Sequence, residues 1–146
     1  MRKIIIMLLY FLITIVGLSS IGIWLPFAID RHDLGAASAA TWHTLPGNIL
    51  TYSLSIFMIA VIDRILHFLN SSSYSNHSIE FLLIIIVIAG CGYIVYQSIY
   101  FLKFNQLCDA IYYAKIVAVI AWIAWLYVKL RSPHEDQFAA MGGQIK

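Results

Sequence analysis

Phe81-Leu82-Leu83-Ile84-Ile85-Ile86-Val87-Ile88 is an uninterrupted apolar run, and the segment around it, Ile79 to Leu102, decides the fold. As a helix its 24 residues rise about 36 Å, enough to cross a hydrocarbon core of ~30 Å. Tyr96, Tyr100 and Phe101 close its far end, aromatic residues suited to the boundary between lipid and water. The rest of the chain has the same character. Of 146 residues 62% are hydrophobic and only 11% charged, with a mean hydropathy of +0.86. A water-soluble chain of this size needs more polar surface to cover itself, so the apolar excess must face lipid.

Three further spans follow from the same criterion. Ile4 to Ile29 is a 26-residue apolar run behind Arg2 and Lys3. Its start imitates a secretory signal, but a signal core is only ~7–15 residues and ends in an A-x-A step that is missing here. An uncleaved span is therefore expected, with Trp24 at the outer interface and Pro26 near its end. The second span, Asn48 to Leu69, is entered through Leu45-Pro46-Gly47, a turn signal, and stops at Asn70-Ser71-Ser72-Ser73. In the last, Ile116 to Val128 offers only 13 residues, about 20 Å, so the crossing must extend over Ile111 to Leu130. Lys115 then lies inside the outer boundary, within snorkelling reach of it. Placing the N-terminus in the cytoplasm puts Arg2, Lys3, Arg64, Lys129, Arg131 and Lys146 inside and Arg31 and Lys103 outside, as the positive-inside rule requires. The expected architecture is an all-α membrane domain over residues 1–131 with four transmembrane helices, both termini cytoplasmic, and a short cytoplasmic tail over 132–146.

Helices gain little from the hydrophobic effect in lipid, so small residues that permit close approach mark packing faces. Ala110, Ala114, Ala118 and Ala121 are spaced by four, four and three on one side of the fourth span, with Trp122, Trp125 and Tyr127 expected elsewhere. Gly90 and Gly92, with Ala89 and Cys91, form a second patch, and Gly17, Ser19, Ser20 and Gly22 a third. Such patches serve contacts within one four-helix bundle or between subunits of a homo-oligomer, which is expected here. Cys91 and Cys108 read as packing residues, not as a disulfide pair.

An ionisable side chain in hydrocarbon costs a few kcal/mol and invites explanation. Asp63 and His67 lie four apart near the inner end of the second span, on one face. They are placed either to bind a cation or pass a proton, or simply as solvated charges at a helix end. Arg64 points elsewhere. Lys115 and Asp109 are six apart and do not face each other. Gln97 is placed to hydrogen-bond across helices. The outer loop, Asp30 to Gly47, holds the sensing candidates Arg31, His32, Asp33, Trp42 and His43, and its Ala-rich middle suits a short interfacial helix anchored by Trp42. The spacing of its histidines matches no metal motif, so neither metal nor cofactor is expected. In the tail, Ser132-Pro133-His134-Glu135 is a helix start and Gly142-Gly143 a stop. That helix offers Glu135, Phe138 and Met141 for docking to a soluble partner or to headgroups.

A net charge of +2 with no basic run argues against direct nucleic-acid binding. No G-x-S-x-G, H-E-x-x-H, P-loop or C-x-x-C occurs, so no enzyme is expected. The four-span layout and the outer-loop step Arg31-His32-Asp33-Leu34-Gly35-Ala36 together resemble the small membrane proteins of bacterial phage defence, the RexB exclusion protein and the membrane component of the Kiwa system. The likeness covers most of the chain as architecture and about six residues as motif. It implies an inner-membrane protein that acts with a soluble cytoplasmic effector, as a triggered channel in the first case and as an envelope reporter in the second. Three functions are therefore expected in order: a non-enzymatic sensor or scaffold, an ion-conducting pore or small transporter, and an immunity protein against a pore-forming toxin.

Overall fold

The computed structural model describes residues 5, 9, 11–70 and 77–131, of which 67–70, 77, 78 and 131 are described by backbone alone. All regular structure among them is helical. A π-helix, π1 (Phe11–Leu18), is followed by α1 (Ile21–Leu34), α2 (Ala39–Asn70), α3 (His77–Lys103) and α4 (Leu107–Arg131). Among the described residues three helices are long and apolar enough to cross a membrane: Ala39–Leu66 of α2, Ile79–Lys103 of α3 and Leu107–Leu130 of α4. A fourth crossing arises if π1 and α1, bent by 52° at Ser19-Ser20, act as one span. The chain is a multi-pass membrane protein by these criteria.

The bend has a local cause. Gly17 and the Ser19-Ser20 pair sit where the wide i→i+5 turns of π1 end, and both features are established sources of sharp kinks. Nearby hydroxyls add to the bonding of the carbonyls at the bend: Ser19 Oγ donates to Thr14 O at 2.9 Å, beside the Ser19 amide on the same oxygen, and Ser20 Oγ donates to Val16 O and Gly17 O. The Gly17 to Gly22 patch thus makes a bend and packs on no other described helix of this chain through its glycines. Gly17, Ser19 and Gly22 are exposed.

Leu45-Pro46-Gly47 does not make the expected turn. α2 starts at Ala39 and runs through Pro46, which is fully buried, so the long outer loop shrinks to the four residues between Leu34 and Ala39. Proline costs the helix a hydrogen bond, yet a membrane-embedded helix tolerates it where neighbouring helices hold the flanks. Leu45, Ile49 and Leu50 are all buried beside it. Ser38 caps the new start, its Oγ accepting from Thr41 N at 3.2 Å. The Ala-rich segment is split, Ala36 and Ala37 lying in the link and Ala39 and Ala40 opening α2, so it forms no separate interfacial helix.

α4 is the hub of the bundle. It packs mainly on α2 and next on α3, while α2 and α3 meet one another little. Its face is the small-residue stripe read from the sequence: Ala110, Ala114 and Ala121 have no exposed surface and Ala118 has 9%. Trp125 was expected to point elsewhere but continues that stripe, four residues past Ala121, and is 4% exposed. Phe11 of π1 lies against its ring, centroids 5.3 Å apart. In the α3 patch only Cys91 is buried. Gly90 and Gly92 are exposed, and a Cβ added at either would meet nothing within 4 Å, so neither packs within this chain. Cys91 and Cys108 are both free. Of the three long helices α3 is the least covered, with 6% of its most apolar window buried against 44% in α2. Between α3 and α4 the chain turns through Asn105, at φ 60°, with Gln106 N donating to Phe101 O at 2.9 Å.

Candidate functional site

Both polar clusters of the bundle lie at helix ends, and a third polar node lies at mid-span. At the end formed by the C-terminal turns of α2 and α4 and the first turn of α3, two ion pairs join three helices. Lys129 Nζ donates to Asp63 Oδ2 at 2.8 Å, and Arg64 Nη2 donates to Glu80 Oε2. Lys129 also sits 6.0 Å from the centre of the Trp125 ring, within cation–π range. Asp63 therefore meets a cation on α4 and bridges two helices; the His67 side chain, expected on the same face, lies outside the described residues. Arg64, read as pointing away, is the more buried charge: its side chain is 6% exposed and that of Glu80 21%, against 20% for Lys129 and 33% for Asp63. Adjacent residues on one helix diverge by about 100°, which lets Asp63 reach α4 while Arg64 reaches α3.

Beside the Arg64–Glu80 pair a cavity of about 470 Å³ opens between α2, α3 and α4. Its walls are apolar, from Phe57 and Val61, Leu83 and Val87, and Ile120 and Ala124, while Arg64 and Glu80 lie at one end. It exists because α2 and α3 both lean on α4 and meet each other little.

The mid-span node was absent from the sequence reading. Trp122 Nε1 donates to Tyr52 Oη at 3.0 Å, and Tyr52 Oη donates to Ile15 O at 2.8 Å. The bent π1–α1 pair is thereby tied to α2 and α4 through a main-chain carbonyl of π1. Bridges of this type have no local signature, because 37 positions separate Tyr52 from Ile15.

At the opposite end Asp30, which follows the apolar run ending at Ile29 and lies in the last turns of α1, organises the link. Its Oδ2 accepts from Ser38 N at 2.8 Å and Thr41 Oγ1 at 2.5 Å. The Thr41 hydroxyl, then the Ser38 amide and hydroxyl, hold the Asp30 carboxyl below the usual carboxylate range, against a smaller opposing effect of burial. The sensing candidates lie around this knot. Arg31 and His43 are exposed, His32 Nδ1 and Asp33 Oδ1 are 2.8 Å apart at the surface, and Trp42 packs edge-on to Phe27 at 5.0 Å. Gln97 bonds within its own helix, Nε2 donating to Tyr93 Oη at 2.8 Å, because the i−4 neighbour is closer than any helix opposite. The bond between α3 and α4 comes from Ser98, whose buried Oγ donates to Ala110 O at 2.8 Å. Lys115 and Asp109 are exposed on α4. Among the described residues no three His, Cys, Asp or Glu side chains come together as a metal site. Glu135, Phe138 and Met141 lie outside the described residues. No protein-family model matches the chain, and neither a curated protein nor a solved structure is similar to it.

Proposed function

We propose that the chain crosses a bacterial inner membrane four times with both ends in the cytoplasm and acts, without catalysis, as a sensor or scaffold that assembles as a homo-oligomer and works with a soluble cytoplasmic partner. The observation that carries this reading is where the charges go. Asp63 and Arg64, the ionisable residues best placed to line a pathway, are held by Lys129 and Glu80 as ties between helices. An aqueous route requires rows or rings of polar groups. The buried interfaces among the described residues offer mostly Ala, Ile, Leu, Val and aromatic side chains.

Orientation rests on basic residues. Arg64 and Lys129 share one end of the bundle, the side to which Arg2, Lys3, Arg131 and Lys146 are assigned, while Arg31 and Lys103 fall on the other. The resemblance to phage-defence membrane proteins supplies the setting. The outer-end knot at Asp30 presents Arg31, His32 and His43 toward the envelope side, and the cytoplasmic end meets the partner.

The test is a phage challenge of bacteria carrying this gene with and without its soluble gene neighbour, together with co-purification in mild detergent. Reduced plating that needs both genes, and a stable complex, are expected. Conductance in planar bilayers that Asp63→Asn alters would overturn the reading in favour of a pore. Protection against a single pore-forming toxin without any partner would overturn it in favour of an immunity protein.

A further inference from the structure

We infer that the cavity between α2, α3 and α4 is a lipid site that takes one acyl chain of a zwitterionic phospholipid, with its headgroup at the Arg64–Glu80 pair. The volume of about 470 Å³ falls within the ordinary range of small-molecule sites, ~300–1000 Å³. Water has no place in it, since a bound water needs two or more polar partners and these walls are apolar. Depth and polarity fit an amphiphile of the bilayer. Glu80 lies one residue inside the start of the α3 span at Ile79, and Arg64 two residues inside the end of the α2 span at Leu66, so the polar end sits at headgroup level. From there the slot runs seven residues along each helix, to Phe57 and Val87, about 10 Å into the hydrocarbon layer.

The charges at the mouth choose the headgroup. A guanidinium and a carboxylate stand side by side, with the Arg64 side chain 6% exposed and that of Glu80 21%. A headgroup carrying one phosphate and one ammonium matches them with opposite signs, phosphate toward Arg64 and ammonium toward Glu80. An anionic headgroup would satisfy the guanidinium and meet the carboxylate with like charge. The occupant therefore comes from the leaflet that meets this end of the bundle. The inference concerns a ligand and stands independently of the proposed sensing role.

The experiment uses the full chain in vesicles doped with phosphatidylethanolamine that bears a diazirine in its acyl chain, followed by mapping of the labelled residues. Labelling concentrated on Leu83, Val87 and Ala124, and depleted on the equally apolar but outward-facing Leu82, Ile85 and Ile86, is expected. Ala124→Phe fills the slot and should abolish labelling there while leaving labelling elsewhere on α3 intact. Uniform labelling of all apolar positions in the wild-type chain would overturn the site, and that comparison needs no variant. Equal or stronger labelling of the slot by phosphatidylglycerol with the same chain would overturn the headgroup assignment. Persistence of slot labelling in a folded Ala124→Phe protein would overturn the placement.

Discussion

Of the two ion pairs at one end of the bundle, Arg64–Glu80 should couple more strongly than Asp63–Lys129, although both join two helices. Removing one partner of a fully buried pair strands the other charge and costs about 3–5 kcal/mol. Arg64 is nearly buried, but Glu80 keeps 21% of its side chain exposed, so part of its hydration survives loss of the partner. We expect Arg64→Ala to destabilise the protein by about 2–3 kcal/mol, with a coupling of about 1–2 kcal/mol once Glu80→Ala and the double variant complete the cycle. The Asp63–Lys129 pair, with side chains 33% and 20% exposed, should couple by less than about 1 kcal/mol. Replacing both members of the buried pair, Arg64→Met with Glu80→Leu, should restore most of the loss, because no charge is then left in an apolar setting. The assay is equilibrium unfolding in mixed micelles of rising denaturing-detergent content, followed by tryptophan fluorescence and far-ultraviolet circular dichroism. If Asp63–Lys129 coupled as strongly as Arg64–Glu80, or if Arg64→Ala cost less than about 0.5 kcal/mol, burial would not be what sets these energies.

Three further outcomes test other parts of the fold. Tyr52→Phe removes the hydroxyl between Trp122 and Ile15 and should cost about 1–2 kcal/mol in the same unfolding assay; an unchanged midpoint would mean that water or lipid already satisfies both groups. Ala121→Leu drives a larger side chain into a face with no exposed surface and should cost about 1–3 kcal/mol, whereas Gly90→Ala and Gly92→Ala should be silent or stabilising by up to about 1 kcal/mol. A change of oligomer size on light scattering for the glycine variants would instead place those residues between subunits. Because the Asp30 carboxyl titrates below its unfolded value, its contribution to stability is present above the ordinary carboxylate range and fades as the pH falls through the folded pKa. Acidification from pH 6 to 3 should therefore narrow the stability gap between wild type and Asp30→Asn, and a gap that widened would refute the role of the Thr41 and Ser38 donors.

Hydropathy adds up along a chain, and for that reason the three long apolar helices were legible without a structure, although α2 starts at Ala39 and not at the expected Asn48. Ile79 to Leu102 and the crossing α3 segment Ile79–Lys103 agree to within a residue. The alanine stripe of α4 was equally legible, since a spacing of three and four fixes a helix face wherever the helix lies. Local punctuation was a poorer guide. Pro46 and Gly47 carry a turn signal that holds for chains in water, but inside a bundle the loss of one hydrogen bond is offset by the close packing of Leu45, Ile49 and Leu50 against neighbouring helices. The candidate site divided the same way. Asp63 was singled out with His67 one turn on, whereas the partner the fold brings to it is Lys129, 66 positions away, which no local spacing announces.

Composition and periodicity alone determined that this is a helical, multi-pass membrane protein, roughly where it crosses, and which face of the last helix is packed. Those properties depend on side chains in the order they occur. Which charges meet, that Arg64 and not Asp63 is the buried one, that Tyr52 holds the bent π1–α1 pair, and that a slot remains between α2 and α3 were decided by tertiary structure. Each depends on the rotation and offset of one helix against another, which are set by the summed fit of many side chains from distant parts of the chain.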